Sequence, residues 1–176
     1  MTSEVEKRAA RVKLLLMDCD GVLTDGRVWI FDNGEEQKGF HTRDGLGIAL
    51  LHRAGLRSGI ISGRTSTAVQ NRAQGLGMSF VIQGCEDKRK AFDDTLVQAG
   101  VENLEVAYIG DDLNDIPLLL RAELAVAVGN ASEETRAVAH LVTRAAGGFG
   151  AVREVIEIIL KSQGRWADVT EKYLKG

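Results

Sequence analysis

The chain has 176 residues, 44% of them apolar, and a net charge of −3 at pH 7, which fits one folded domain with an ordinary core. A pI of about 5.7 gives no basic excess for nucleic acid. The apolar runs are too short to span a membrane, and the charged N-terminus lacks the apolar stretch of a signal peptide. The two cysteines, Cys19 and Cys85, form no metal-binding spacing, so we expect reduced thiols and a cytoplasmic protein.

Short apolar runs alternate with segments of helical period along the chain. Strands are predicted at residues 12–17, 28–31, 39–42, 58–62, 80–82, 106–109, 124–128 and 141–143. Helices are predicted at residues 44–54, 66–76, 88–99, 113–121 and 132–139, and after Gly150. This alternation predicts an α/β fold of three layers, in which a Rossmann-like parallel sheet is covered by helices on both faces.

Two segments depart from this alternation. The turn between the second and third predicted strands reads Asp32-Asn33-Gly34-Glu35, and Asn-Gly favours the positive φ angles of a tight hairpin. A β-hairpin at about residues 27–43 is therefore predicted as an insertion after the first strand. A polar tail is predicted at about residues 161–176, and residues 1–176 are predicted to form a single domain.

Acidic side chains follow two of the predicted core strands. Asp18 and Asp20 follow the first strand, and Asp111 follows the strand at residues 106–109. Ligands of parallel sheets bind outside the carboxyl ends of the strands, and residues i and i+2 there share one side. Such an oxygen-only, anionic site suits Mg²⁺, and the cation would offset the cost of burying two neighbouring carboxylates.

Groups that suit a phosphoryl ligand come from other loops at the same edge. Ser62 opens a loop with Gly63 and Arg64, and Lys88 begins a helix. A hydroxyl, backbone N–H groups, a lysine and a metal ion together can hold a phosphoryl group. One carboxylate can then form an aspartyl-phosphate, while a second can protonate the leaving oxygen and later activate water.

The sequence resembles the haloacid dehalogenase-like phosphatase superfamily over about residues 12–160. Four motifs occur in order: DCDGVLTDG from Asp18, ISGR from Ile61, Lys88, and GDDLND from Gly110. The resemblance implies that Asp18 is the nucleophile and that Asp20 is the general acid and base.

The same resemblance implies roles for the other motif residues. It implies that Mg²⁺ is held by Asp18, Asp111 and the main-chain carbonyl of Asp20. Phosphate would be bound by Ser62, Gly63 and Lys88. It places Asp112 and Asp115 behind the metal ligands.

Five stretches are similar to a narrower branch, the 3-deoxy-D-manno-octulosonate 8-phosphate phosphatases, which have no large cap domain. They read DGVLTDG, KGFHTRDGLGI, ISGRTSTAVQNRAQGLG, VAYIGDDLND and VTRAAGGFGAVREV. The chain agrees in length, because only the hairpin separates Asp18 from Asp44 and no cap-sized segment separates Ser62 from Asp111.

An uncapped site leaves its intermediate open to water, so closure needs another subunit. The resemblance implies a homotetramer in which hairpins pack together and neighbouring chains complete each site. Trp29 and Phe31 on the hairpin would then be interface residues, and the tail at residues 163–166 would be a lid.

The branch acts on an anionic sugar acid phosphate, in the synthesis of lipopolysaccharide precursors. Arg64 and Arg72 are candidate ligands for its carboxylate, because they are about two helical turns apart. A sister branch acting on 2-keto-3-deoxynonulosonate 9-phosphate typically has glutamate where this chain has Arg64, so the arginine favours the eight-carbon substrate. The nine-carbon substrate stays open as an alternative, and so does a non-catalytic binding or regulatory module.

Overall fold

The computed structural model describes residues 3–175, so residues 1, 2 and 176 at the ends of the predicted domain lie outside it. The described strands are β1 (Leu14–Met17), β2 (Trp29–Ile30), β3 (Glu36–Gln37), β4 (Arg57–Ile61), β5 (Phe80–Ile82), β6 (Val106–Gly110), β7 (Leu124–Ala127) and β8 (Leu141–Val142). The described helices are α1 (Ser3–Arg11), α2 (Thr42–Arg53), α3 (Thr67–Gly75), α4 (Lys88–Ala99), α5 (Ile116–Leu119), α6 (Glu133–Val138), α7 (Ala151–Ser162) and α8 (Trp166–Leu174).

Six of the strands form one sheet in the order β5-β4-β1-β6-β7-β8. Every neighbouring pair in this sheet is parallel, so all six strands end at the same edge. β1 lies between β4 and β6, with Leu15 beside Ser58 on one side and Ala107 on the other. The loops that follow these three central strands are therefore neighbours.

Both faces of the sheet are buried under helices, as expected for parallel strands. Leu15 and Met17 of β1 belong to one apolar cluster, which includes residues of α1, α2 and α7. Leu14 and Leu16 point to the opposite face and pack in a second cluster with residues of α4 and α5. The three-layer α/β fold predicted from the sequence is thus confirmed.

The hairpin is present, but its second strand was predicted in the wrong place. β3 lies at residues 36–37 rather than 39–42, because the turn is tight. Phe31 N–H donates to the Glu35 carbonyl, and the Asn33 side chain accepts from Glu35 N–H. α2 then begins at Thr42, with His41 at its N-cap.

Three helical segments also differ from prediction. The predicted helix at 113–121 is a 3₁₀ turn, Leu113–Asp115, followed by α5, whose first turn contains Pro117. The N-terminal helix α1 was not predicted, since few of its residues are apolar; it buries Val5 and Ala9. The segment predicted as a polar tail contains α8, which packs on α2 and α7.

The hairpin is inserted between β1 and α2, and residues 3–175 contain no separate cap domain. Across the same residues, every helix falls short of the length and apolar character that a bilayer crossing requires.

Candidate active site

The loop after β1 turns back sharply and presents its carboxylates at the edge of the sheet. The Cys19 carbonyl accepts hydrogen bonds from the N–H groups of Val22, Leu23 and Thr24, which closes the turn. Asp18 is buried at the end of the strand and Asp20 is half-buried, while Cys19 is fully buried in the core. Both carboxylates face one cavity, as predicted, and Cys19 between them lies in the apolar core.

Lys88 joins two of the buried carboxylates. Its Nζ lies 3.1 Å from Asp18 Oδ1 and 2.7 Å from Asp115 Oδ1. The Tyr108 hydroxyl donates to the same Asp115 oxygen at 2.8 Å, and Asp111 N–H donates to the other one at 3.0 Å. Both oxygens of Asp115 are therefore occupied, which leaves Asp18 and Asp111 as the carboxylates with room for a ligand.

The pKa values of two of these acids, Asp18 and Asp111, are raised by burial and by neighbouring negative charge. Burial, and next the charge of Asp115, raise the pKa of Asp18 to about 6 although Lys88 opposes the shift. Burial and the same neighbour raise the pKa of Asp111 to about 7. Burial disfavours the charge of Lys88, but Asp115 and Asp18 outweigh it and raise the pKa of the lysine. The site thus carries more negative charge than one lysine neutralises.

This donor set fits a hard divalent cation. Oxygens of Asp18, Asp111 and Asp115 lie within 4.8 Å of one another. Hard oxygen ligands of this kind are those that Mg²⁺ takes, together with water and phosphate oxygens. A cation placed between Asp18 and Asp111 would offset the repulsion that raises their pKa values.

A cavity of about 170 Å³ opens above the cluster. It is lined by Asp18, Asp20, Ser62, Gly63, Arg64, Lys88, Asp111, Asp112 and Asn114. Ser62 follows β4 and is 4% exposed, and its hydroxyl accepts a hydrogen bond from Arg64 N–H at 3.3 Å. All but two of the residues proposed from the sequence therefore share one cavity; Asp115 lies behind it and Arg72 lies elsewhere.

Arg72 packs away from this cavity. Its guanidinium carbon lies 5.8 Å from the centre of the Phe40 ring and approaches Gly45 of α2. Within residues 3–175, its buried Nε has no hydrogen-bond partner. The helical spacing from Arg64 did not bring the two arginines together, because Arg64 precedes α3 and only Arg72 lies within it.

Two charged residues of the hairpin, Glu36 and Lys38, also reach the site and were not predicted from the sequence. Lys38 Nζ lies 2.5 Å from Asp20 Oδ1, and its side chain is 1% exposed. Glu36 lies 3.1 Å from Arg64 Nη2 and 3.8 Å from Lys38 Nζ. Arg64 Nε lies 3.4 Å from Asp20 Oδ2, which closes a ring of alternating charges. The available signal was a Glu and a Lys two residues apart, because alternate residues of a strand share a face.

A second distant segment holds the loop after β1. Gly148 N–H donates to the Val22 carbonyl at 2.9 Å, and a side chain at Gly147 would overlap the Gly21 carbonyl. Gly21, at φ +88°, in turn leaves no room for a side chain beside the Asp111 carboxylate. Gly147 and Gly148 thus pack directly over the loop after β1.

Asp44 holds the start of α7, the helix that follows this glycine-rich segment. The residue lies inside α2 and is fully buried. Its Oδ1 accepts a hydrogen bond from Arg153 N–H at 2.7 Å in the first turn of α7. Because Gly150 provides no side-chain cap, Asp44 satisfies a free amide at the start of that helix.

The chain is similar in sequence to known phosphatases of one family. Residues 81–156 match the haloacid dehalogenase-like hydrolase family. The chain is 41% identical to 3-deoxy-D-manno-octulosonate 8-phosphate phosphatase KdsC of Yersinia pestis, over 97% of this chain and 91% of the relative. Identity to the protein of the same name from Escherichia coli K12 is also 41%, over 94% of this chain and 88% of the relative.

Solved structures agree with these relatives. A probable YrbI family phosphatase from Pseudomonas syringae pv. phaseolica superposes with a TM-score of 0.97 at 43% identity, over 99% of each chain. The 3-deoxy-D-manno-octulosonate 8-phosphate phosphatase of Moraxella catarrhalis was solved with a magnesium ion, a phosphate ion and a KDO molecule. It superposes with a TM-score of 0.95 at 40% identity, over 98% of this chain and 99% of that one.

Proposed function

Because the chain belongs to the family of the 3-deoxy-D-manno-octulosonate 8-phosphate phosphatases, within the haloacid dehalogenase-like hydrolases, we propose that it hydrolyses 3-deoxy-D-manno-octulosonate 8-phosphate. The products are the free sugar acid and phosphate, and the reaction belongs to lipopolysaccharide precursor synthesis. One observation carries this proposal: the buried Asp18–Lys88–Asp115 cluster opens into a cavity shared with Ser62.

Asp18 and Asp111, with the main-chain carbonyl of Asp20, would hold Mg²⁺. When bound, the ion neutralises phosphate charge and stabilises the charge that develops during attack. Asp115 is the residue that orients this arrangement, since it binds Lys88 and the backbone N–H of Asp111. Asp112 lies at the rim of the cavity, where its carboxylate caps the 3₁₀ turn after Asp111.

The first chemical step forms an aspartyl-phosphate. An Asp18 oxygen attacks phosphorus, the bond between phosphorus and the sugar oxygen breaks, and the Asp20 carboxyl gives its proton to that oxygen. Lys88, the Ser62 hydroxyl and the Gly63 N–H hold the phosphoryl oxygens, as their places around the cavity allow. This step leaves the sugar acid free and Asp20 ionised.

The second step hydrolyses the intermediate. Asp20 takes a proton from water, the water oxygen attacks phosphorus, and the bond from phosphorus to Asp18 breaks. Phosphate leaves, Asp18 returns as a carboxylate, and Asp20 is again protonated.

Arg64 is the cation at the cavity that suits the carboxylate of the sugar acid. Arg72 does not line this cavity within the chain, so a role for it requires the approach of a neighbouring subunit. A sugar carboxylate that engages Arg64 would compete with Asp20 and Glu36 for the guanidinium.

We further propose a homotetramer, in the cytoplasm, in which hairpins pack together and complete neighbouring sites. The first side of the hairpin supports this, because Trp29, Ile30 and Phe31 are each more than half exposed. Within one chain α8 packs on α2 and α7 and adds no residue to the cavity, so closure needs another copy. We expect light scattering to give the mass of four chains, and a fully active monomer would contradict the shared site.

Phosphate release from a panel of sugar phosphates tests the function. We expect strong activity with Mg²⁺ on the eight-carbon 3-deoxy acid, little on the nine-carbon acid, and none after chelation of the metal. A preference for the nine-carbon acid would keep the mechanism and reject the argument from Arg64. Absence of release from every substrate would favour a non-catalytic binding module.

A further inference from the structure

We propose that Lys38 of the hairpin is a positioning residue for Asp20. By binding one carboxylate oxygen, it turns the other toward the leaving group of the substrate. This inference rests on the proposed function, because it assigns Asp20 the proton that the sugar oxygen receives. It gives the hairpin a role in the chemistry of its own chain.

The two oxygens of Asp20 have different surroundings. Oδ1 accepts the hydrogen bond of Lys38 Nζ at 2.5 Å. Oδ2 is buried, and no described residue forms a hydrogen bond with it; the nearest charge is Arg64 Nε at 3.4 Å. Lys38 therefore holds one oxygen, while the other faces Arg64, the cation that a substrate carboxylate would engage. Engagement of Arg64 by the substrate would free this second oxygen for the leaving group.

The hairpin is built to deliver this lysine. Glu36 lies in β3 and Lys38 follows it, so the two side chains point to one face while Gln37 points to the other and is exposed. Glu36 then pairs with Arg64 and lies near Lys38, which ties the strand to the loop after β4. Lys38 therefore reaches Asp20 from the residue that directly follows an anchored strand.

Burial of Lys38 restricts the orientation of the Asp20 carboxylate. The Lys38 side chain is 1% exposed, and a desolvated ammonium group keeps its partner because leaving it unpaired is costly. Asp20 then cannot rotate freely between orientations. The rate of cleavage would depend on that orientation for substrates whose leaving oxygen needs a proton. It would not depend on it for substrates that leave as a stable anion.

The test is Lys38→Met, which removes the charge from a buried site at nearly constant volume. The measurement is the first-turnover rate of leaving-group release, from the sugar phosphate and from p-nitrophenyl phosphate. We expect a loss of about 100-fold or more on the sugar phosphate, the range of one general acid. On p-nitrophenyl phosphate we expect a much smaller loss, and no comparable rise in KM for either substrate. Lys38→Gln provides the same comparison if the methionine variant does not fold.

Two further variants make the result specific. Gln37→Met changes the adjacent hairpin residue on the opposite face and should leave both rates unchanged. Asp20→Asn should show the same split between the two substrates. The double variant Asp20→Asn/Lys38→Met should lose nothing beyond Asp20→Asn, because Lys38 acts through Asp20.

Equal losses on both substrates, or a loss confined to KM, would overturn the role of Lys38. So would additive losses in the double variant. If Asp20→Asn shows the split and Lys38→Met does not, this inference fails and the proposed function stands. If the wild-type protein does not hydrolyse the sugar phosphate, both fail.

Discussion

Turnover of the sugar phosphate should fall by about 10⁴-fold or more when Asp18 is replaced by Asn, because the amide does not serve as the attacking carboxylate. The substitution keeps the shape of the side chain and one oxygen beside Lys88. Phosphate release under saturating substrate and Mg²⁺ measures the effect. Activity within tenfold of the wild type would refute Asp18 as nucleophile.

Asp18→Asn should also change the dependence of stability on pH. The pKa of Asp18 is raised from 3.8 to about 6, so folding favours its protonated form and ionisation destabilises the folded state. Metal-free wild-type protein should therefore lose stability as pH rises from about 4 to above 6. The variant lacks this contribution, so its Tm should exceed that of the wild type most above pH 6, as thermal unfolding in chelator would show. The prediction fails if the Tm of the variant minus the Tm of the wild type is smaller at pH 8 than at pH 4.

Lys88→Met should cost both activity and stability. The lysine is 7% exposed and touches Asp18 and Asp115, so its removal leaves two buried carboxylates without their cation. Loss of one partner from a buried pair typically costs about 3–5 kcal/mol of unfolding free energy. Urea unfolding of metal-free protein at pH 8 measures the loss. The loss should shrink as the pH falls, because protonation of Asp18 removes one of the orphaned charges; without Lys88, the pKa of Asp18 lies above its wild-type value of about 6.

Lys90→Met is the matched control for Lys88→Met. Lys90 lies in the same helix and pairs with Asp94 at 2.7 Å, but both side chains are more than half exposed. Solvent screens a pair this exposed and leaves it little effect on stability, so this variant should keep the activity and stability of the wild type. Similar losses in both variants would indicate damage to α4, and not to the buried cluster.

Elements with strong local signals were predicted well. α4 begins and ends at the predicted residues, because Asp87 caps its first turn and Gly100 adopts the left-handed conformation at its end. β1 was predicted within two residues, since a run of leucines ends at two acids. The acids of two loops were expected to meet, because parallel strands place their carboxyl ends at one edge.

Contacts between distant segments were beyond the sequence pattern. The capping of α7 by Asp44 depends on how two helices pack, and neither helix carries a local signal for it. For Lys38, the spacing from Glu36 indicates a shared face, but the burial of the lysine depends on where the hairpin folds. Arg72 was predicted at the site from its helical spacing to Arg64. In the structure its guanidinium packs against Phe40 and Gly45 instead.

The packing of Gly147 and Gly148 over Gly21 determines when, during synthesis, the site around Asp18 can be completed. Asp18 is made before the glycines that cover its loop, and a long stretch of chain separates them. A nascent chain that stops before Gly147 carries Asp18 but lacks the backbone that packs over its loop. Synthesis of Gly147 and Gly148 is thus needed before this site is complete, and a chain without them has no finished site with which to meet a substrate.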